Sequence, residues 1–209
     1  VSLILATGGS GMVKSAYSAG KPALGVGPGN VPCYIEKTAD VKRACTDLML
    51  SKTFDNGMIC ASEQAVIVDK DIKSDFESFM KENNCYFLTA EETKKLSSFM
   101  FPMPKKTLNS KVVGLKAYDI AKEAGIKVDK NTKILIAKLT KFGDEQPLSK
   151  EKLSPVLAYY VVDGVEQGFE YARNMLEIGG LGHSAVFHSN DSSLYQEFGK
   201  KMQVGRVII

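Results

Sequence analysis

Along the 209-residue chain, apolar positions fall into short runs separated by longer stretches with a helical period. VSLILAT, VPCYI, EQAVIVD, CYFLT, TKILIAKL, VLAYYVV, SAVFHS and VGRVII are runs of the first kind, rich in β-branched, leucine and aromatic residues. Apolar residues follow one another in them instead of alternating with polar ones, which predicts strands buried on both faces. The segment TADVKRACTDLMLSKTF puts Val41, Ala44, Cys45 and Leu48 on one helical face. In DIKSDFESFMKENN the stripe is Ile72, Phe76, Phe79 and Met80, and in DGVEQGFEYARNMLEIGG it is Val165, Phe169, Ala172 and Leu176. Asp163 and Glu166 stand at capping-box spacing ahead of that last helix, and glycines close it. GMVKSAYSAG, AEETKKLSSFMF, AYDIAKEAG and SLYQEFGKKM predict further helices.

Strands that alternate with helices in this way predict an α/β fold with a mainly parallel sheet covered on both sides. The compositional break is the Gly/Pro cluster GVGPGNVP, residues 25–32, and a domain junction is expected there, dividing 1–32 from 33–209. The chain opens with VSLILAT and stops at VGRVII, both strand-like, and reads as a piece of a longer enzyme.

Bulk composition narrows the class without naming a chemistry. Hydrophobic content of 44% and charged content of 24% are ordinary for a soluble globular protein. A net charge of +3, spread along the chain, is too weak to argue for nucleic acid or an acidic membrane. No apolar run reaches the roughly 18 residues of a membrane span, and no signal peptide is evident. Cys33, Cys45, Cys60 and Cys85 form no CxxC pair and no metal-ligand spacing with the two histidines, so no metal site is expected. They read as reduced thiols of a cytoplasmic protein.

Two stretches carry candidate chemistry. GGSG, residues 8–11, joins a strand to a helix, where backbone N–H groups attract anions and glycine admits a phosphate. It is not GxGxxG, and no acidic residue follows about 20 residues later, so a plain strand–helix connection stays open beside a phosphate cradle. FDNGMICASEQ, residues 54–64, places Cys60 after a turn formed by Asn56 and Gly57. That bend exposes the thiol and can aim backbone N–H groups at an oxyanion. Cys33 lies in an apolar strand, Cys45 on a core stripe and Cys85 at a strand border, all settings for an inert thiol. A small core thiol is the competing reading of Cys60 itself.

KTFDNGMICASEQ closely resembles the catalytic-cysteine segment of CoA-acylating aldehyde dehydrogenases, in particular the acetaldehyde dehydrogenase half of bifunctional aldehyde-alcohol dehydrogenases. LATGGSGMVKSAYSAGKPALGVGPGN, TKILIAKL, EKLSPVLAYY, GGLGHSAVFHS and GRVII extend the likeness over the whole chain. The resemblance implies the aldehyde dehydrogenase fold. Residues 1–32 would close a Rossmann-like dinucleotide-binding domain, and 33–209 would form a catalytic domain truncated at its C-terminus. The earlier nucleotide-binding strands and the upstream asparagine of the family's oxyanion hole would lie outside this chain, as would any fused alcohol dehydrogenase half.

Cys60 then matches the nucleophile, which forms a thiohemiacetal with the aldehyde, passes hydride to NAD and becomes a thioester. Thr7, Gly8 and Gly9 match the turn that supports the nicotinamide end and contacts the pyrophosphate. EKLSP resembles the superfamily's E-x-F-G-P stretch, giving Glu151 the ribose hydroxyls and Leu153 the place of an aromatic beside the nicotinamide. His183, in GGLGHS, matches a histidine near the active-site cleft of CoA-acylating members, where the resemblance implies help in binding CoA or orienting the thioester; a backbone-satisfied strand histidine is its plain alternative. His188 and Glu63 read as structural. The implied partners are a small aldehyde and CoA, with homo-oligomers or filaments in a full-length parent.

Hydrolytic members carry E-L-G-G-K, whose glutamate activates water. The corresponding stretch here, GVGPGN at residues 25–30, contains no acid. General-base help is worth ~10²–10⁴-fold, whereas a thiol of pKa about 8.5 already holds a few per cent thiolate at neutral pH. The acyl group is therefore expected to wait for CoA. A hydrolytic enzyme with another base and a non-catalytic assembly module are the competing readings. The isolated chain, short of half its cofactor site, is expected to be inactive.

Overall fold

In the computed structural model, which describes residues 1–209, the chain builds two parallel sheets. β1 (Ile4–Thr7), α1 (Ser10–Tyr17) and β2 (Ala23–Val26) form a small two-stranded unit. The large sheet then collects β3 (Pro32–Ile35), β4 (Ala65–Asp69), β5 (Cys85–Phe87), β6 (Ile134–Lys138), β7 (Val156–Val162), β8 (Gly182–His188) and β9 (Val204–Ile208). Their order is β5-β6-β7-β4-β3-β8-β9, and every neighbouring pair is parallel.

Helices cover both faces. α2 (Val41–Thr53) and α3 (Lys73–Glu82) bring Cys45, Leu48, Phe76 and Met80 against Cys33, Ile35, Val66, Val68, Leu157 and Tyr159. On the other face, α4 (Ala90–Met100), α5 (Ala117–Glu123), α6 (Val165–Glu177) and α7 (Ser193–Lys201) pack against Tyr34, Ile67, Ala158 and Tyr160. In β3, β4, β6 and β7 consecutive residues thus bury on opposite sides, which is why those runs are apolar without alternation. β1 and β9, also expected to be buried on both faces, are instead largely exposed, with Leu5 and Ile208 among their exposed side chains. Each large aliphatic or aromatic side chain so buried contributes about 1.5–3 kcal/mol. No helix is long and apolar enough to cross a membrane.

One local expectation fails. Asp163 and Glu166 form no capping box: α6 starts from Gly164, at φ 84, with no side-chain cap. The third residue of the helix is therefore Gln167, whose Oε1 accepts from the Asp163 N–H at 2.6 Å. Asp163 pairs instead with Lys70 at 2.7 Å, and Glu166 with Lys201 at 3.3 Å. A capping box does form at α4, between Thr89 and Glu92.

The topology determines where chemistry can gather. β7, β4, β3 and β8 are adjacent and parallel, so the segments leading into them meet at one edge of the sheet. Those segments carry Glu151, Cys60, Gly29 and Gly180, and His183 is the second residue of β8. The connection from β6 to β7 holds no α-helix, only 3-10 turns at Gly143–Glu145 and Pro147–Ser149, and it runs over that edge.

Candidate active site

After α2 the chain turns sharply through Phe54–Gly57. Asp55, Asn56 and Gly57 adopt φ of 48, 49 and 70, a left-handed run that Asn, Asp and Gly tolerate best. The Asn56 amide donates to the Gly114 carbonyl at 2.9 Å. Gly57 lies against the Ser154 backbone, where a Cβ would stand 2.8 Å from the carbonyl oxygen. The pinned turn presents Cys60 half-buried, with its backbone N–H donating to no protein acceptor. Phe54, Met58 and Ile59, on the same loop, are exposed. Burial pushes the Cys45 and Cys85 thiols up to about 12, and raises Cys33 as well. All three are sequestered in the core.

Gly29 is the point of convergence. Its N–H donates to Glu151 Oε1 at 3.1 Å. A Cβ on it would stand 2.6 Å from the Cys60 carbonyl oxygen and 3.2 Å from His183 Cδ2. Three residues singled out in the sequence, Cys60, Glu151 and His183, therefore gather around one glycine.

Burial raises the Glu151 carboxyl above its ordinary value, against the pull of the Gly29 N–H and of Lys152 and Lys52. Burial, with the Arg206 cation second, lowers His183 and favours its neutral form at pH 7. His183 Nδ1 lies 3.2 Å from Ser184 Oγ, leaving Nε2 uncommitted to protein.

Beside Glu151 opens a cavity of about 270 Å³, with Gly29, Asn30, Lys106, Thr107 and Lys150 in its lining. The Asn30 amide donates to the Ser149 and Met175 carbonyls at 3.1 and 2.9 Å, while its Oδ1 is buried without a partner. The Glu151 carboxylate and the two lysines offer an acceptor and cations to a hydroxyl- and phosphate-bearing ligand such as a nucleotide. Nothing in the sequence marks Lys106 and Thr107, because a lysine and a threonine in a polar loop look like any solvated pair. A larger cavity of about 470 Å³, bordered by α2, α3 and the start of α5, includes none of Cys60, Glu151 or His183.

The other candidates lie outside the convergence on Gly29. Thr7 ends β1, the Gly8 N–H donates to the Val26 carbonyl at 3.1 Å, and Gly9 caps α1 with no side chain. Leu153 is half-buried at φ 46, and its carbonyl accepts from the Gly114 N–H. Glu63 is buried, with Oε2 unpartnered, and His188 is half-buried at the end of β8. No group of three His, Cys, Asp or Glu side chains is placed to hold a metal ion.

A sequence profile of the aldehyde dehydrogenase family matches residues 1–209. The chain belongs to this family. Aldehyde-alcohol dehydrogenase of Streptococcus pneumoniae is 48% identical over 100% of the chain, which spans 24% of that protein. The crystal structure of an acetylating aldehyde dehydrogenase from Geobacillus thermoglucosidasius superposes with a TM-score of 0.95 at 46% identity, covering 100% of this chain and 46% of that one. A Rhodopseudomonas palustris propionaldehyde dehydrogenase, solved with bound CoA and an acylated cysteine, gives a TM-score of 0.89 at 27% identity, covering 100% and 47%. The α/β fold read from the alternating pattern is thus the fold of acetylating aldehyde dehydrogenases.

Proposed function

We propose that this chain carries the nucleophile, and part of the cofactor site, of a NAD-dependent, CoA-acylating aldehyde dehydrogenase. The reaction is acetaldehyde, CoA and NAD+ to acetyl-CoA and NADH, in either direction. The observation that carries this reading is the convergence of Cys60, Glu151 and His183 on Gly29. Residues 1–32 would complete a dinucleotide-binding domain and 33–209 would supply most of the catalytic one, with the remainder contributed by a longer chain.

Cys60 Sγ attacks the aldehyde carbon, and the carbonyl oxygen takes up negative charge within reach of the free Cys60 N–H. The exposed side chains of Phe54, Met58 and Ile59 suit a short aliphatic aldehyde. Bound NAD supplies a hydride acceptor. Glu151 accepts hydroxyl donors at the edge of the 270 Å³ cavity, and Leu153 lies two residues beyond it. Thr7, Gly8 and Gly9 lead into α1, whose first N–H groups can receive a phosphate. Loss of hydride leaves a Cys60 thioester. GVGPGN offers no carboxylate to activate water, so the thioester passes to a second thiol. Neutral His183, with Nε2 free, orients that thiol or takes its proton. CoA bound to the Rhodopseudomonas palustris neighbour supports CoA as the carrier.

The deciding measurement is NADH formation by the full-length protein with and without CoA. Turnover that requires CoA and yields acyl-CoA is expected. CoA-independent release of free acid would point to a hydrolytic enzyme and overturn the proposal. The isolated 209-residue chain is expected neither to bind NAD tightly nor to turn over.

A further inference from the structure

Three fully buried polar side chains lie beneath this site, and the reaction just described uses none of them. Lys52, Gln64 and Lys152 each expose 0% of their surface. Lysine is almost never fully buried unless paired, so two in one place require an explanation.

Gln64 links them. Its Oε1 accepts from the Lys152 backbone N–H at 3.0 Å and from Lys52 Nζ at 3.4 Å. Its Nε2 donates to the Ser62 carbonyl at 3.1 Å. The amide cannot be turned over, since that would set an NH2 group against two donors. The Gln64 main chain is fixed too, donating to the Val31 carbonyl at 2.8 Å and accepting from the Ala158 N–H at 3.1 Å. Lys152 Nζ donates to the Leu148 and Lys150 carbonyls at 2.8 and 2.7 Å. Two carbonyls match the two N–H bonds of a neutral amine, and burial holds Lys152 well below its ordinary value.

These contacts close a ring. From Gln64 the path runs to Lys152, along one peptide to Glu151, across to the Gly29 N–H, and over to the Cys60 carbonyl. Four residues of chain return it to Gln64. We propose that Gln64 is a positioning residue: its amide, braced by Lys52 and Lys152, holds the cofactor carboxylate Glu151 in register with the nucleophile loop. The inference rests on the function proposed above. Gln64 touches no reacting atom, so its loss changes how the nucleophile and the cofactor are placed relative to one another, and leaves the thiol itself in place.

The test uses full-length protein carrying Gln64→Met, which keeps the volume and loses the acceptor, and Gln64→Glu, which keeps the accepting oxygen and, protonated, a donor for the Ser62 carbonyl. The KM for NAD+ and the alkylation of Cys60 by iodoacetamide are measured with and without NAD+. In Q64M the KM is expected to rise about tenfold, as for a lost hydrogen bond to a charged group. Alkylation without NAD+ stays within about twofold of the parent, the response of that rate to NAD+ is lost, and Q64E recovers most of both properties. Parental KM and parental response in Q64M overturn the proposal, whatever happens to the melting temperature. Should Q64M not fold, Lys152→Met slackens the same loop from the other side, and parental values there count equally against it. A parent whose Cys60 ignores NAD+ and whose turnover ignores CoA would instead overturn the underlying reading.

Discussion

The Gly29 α-carbon faces the Cys60 carbonyl so closely that a Cβ at position 29 would stand 2.6 Å from the Cys60 oxygen. The strap leading into β3 and the loop leading into β4 are thus in contact at the nucleophile, backbone against backbone. His183 Cδ2, 3.2 Å from the same point, closes the third side.

Gly29→Ala is therefore expected to displace the nucleophile loop. The neighbour is main chain, which cannot rotate away as a side-chain tip can. Overpacking of this kind costs about 1–3 kcal/mol. Turnover should fall at least about tenfold, since small misplacements at a reacting centre carry large rate penalties. Steady-state kinetics of the full-length variant, paired with a melting curve, checks this; parental kcat would show that the loop yields without consequence.

Gly168→Ala provides a contrast remote from the reacting residues. Its Cβ would meet the Tyr34 ring at 2.3 Å, and that ring is fully buried and stacked on Phe187 with centroids 5.5 Å apart. Stability should drop by about 1–3 kcal/mol in denaturant unfolding. The KM for NAD+ of the folded fraction should not move.

Exposure and burial together predict which thiol reacts. Cys60 is half-buried on a loop, while Cys33, Cys45 and Cys85 are in the core with their thiols pushed up by burial. Brief iodoacetamide treatment at neutral pH, followed by peptide mapping, should label Cys60 first by at least about tenfold. Labelling of Cys45 at a comparable rate would count against Cys60 as the nucleophile.

Glu151→Gln separates the two jobs of that side chain. A glutamine Oε1 can still accept from the Gly29 N–H, now at 3.1 Å, so the loop should stay in place. One of the two accepting oxygens becomes a donor. The KM for NAD+ should rise about tenfold with little change in melting temperature. Unchanged KM would remove Glu151 from the cofactor site.

What could be read in the sequence was what periodicity and local chemistry encode. The apolar face of α2 and the two-sided burial of β4 and β7 follow from spacing, and the bend before Cys60 follows from Asn56 and Gly57. The capping-box spacing before α6 misleads because Gly164 can adopt φ 84, which shifts the helix start so that Gln167 takes the position expected of Glu166. Lys52 and Lys152 were invisible for a different reason. A lysine in a sequence reads as solvated, and only the packing of the loops before β4 and β7 against each other closes water out. The meeting at Gly29 is also nonlocal, joining residues 122 positions apart through strand order.

The burial of Lys52 has a consequence for stability that pH can measure. Burial lowers its ammonium to about 7, with Glu63 and Glu151 pulling the other way. In the unfolded chain a lysine titrates near its ordinary value of about 10.4. Between those values the unfolded state holds a proton that the folded state has lost, so stability rises with pH across the window. One proton corresponds to about 1.4 kcal/mol per pH unit at most. Above about pH 8.5 the cysteines of the unfolded chain ionise while the buried ones do not, which tilts the curve the other way. The useful range is therefore about pH 7 to about pH 8.5. Lys152, lowered by burial first and by the neighbouring Lys52 second, acts in the same direction in parent and variant, and only the part of its shift that depends on Lys52 enters their difference. Urea unfolding of parent and Lys52→Met across that range should show the parent gaining about 1 kcal/mol per pH unit relative to the variant. Parallel curves would mean that Lys52 keeps its proton in the folded state, held as a buried ion pair with Glu63.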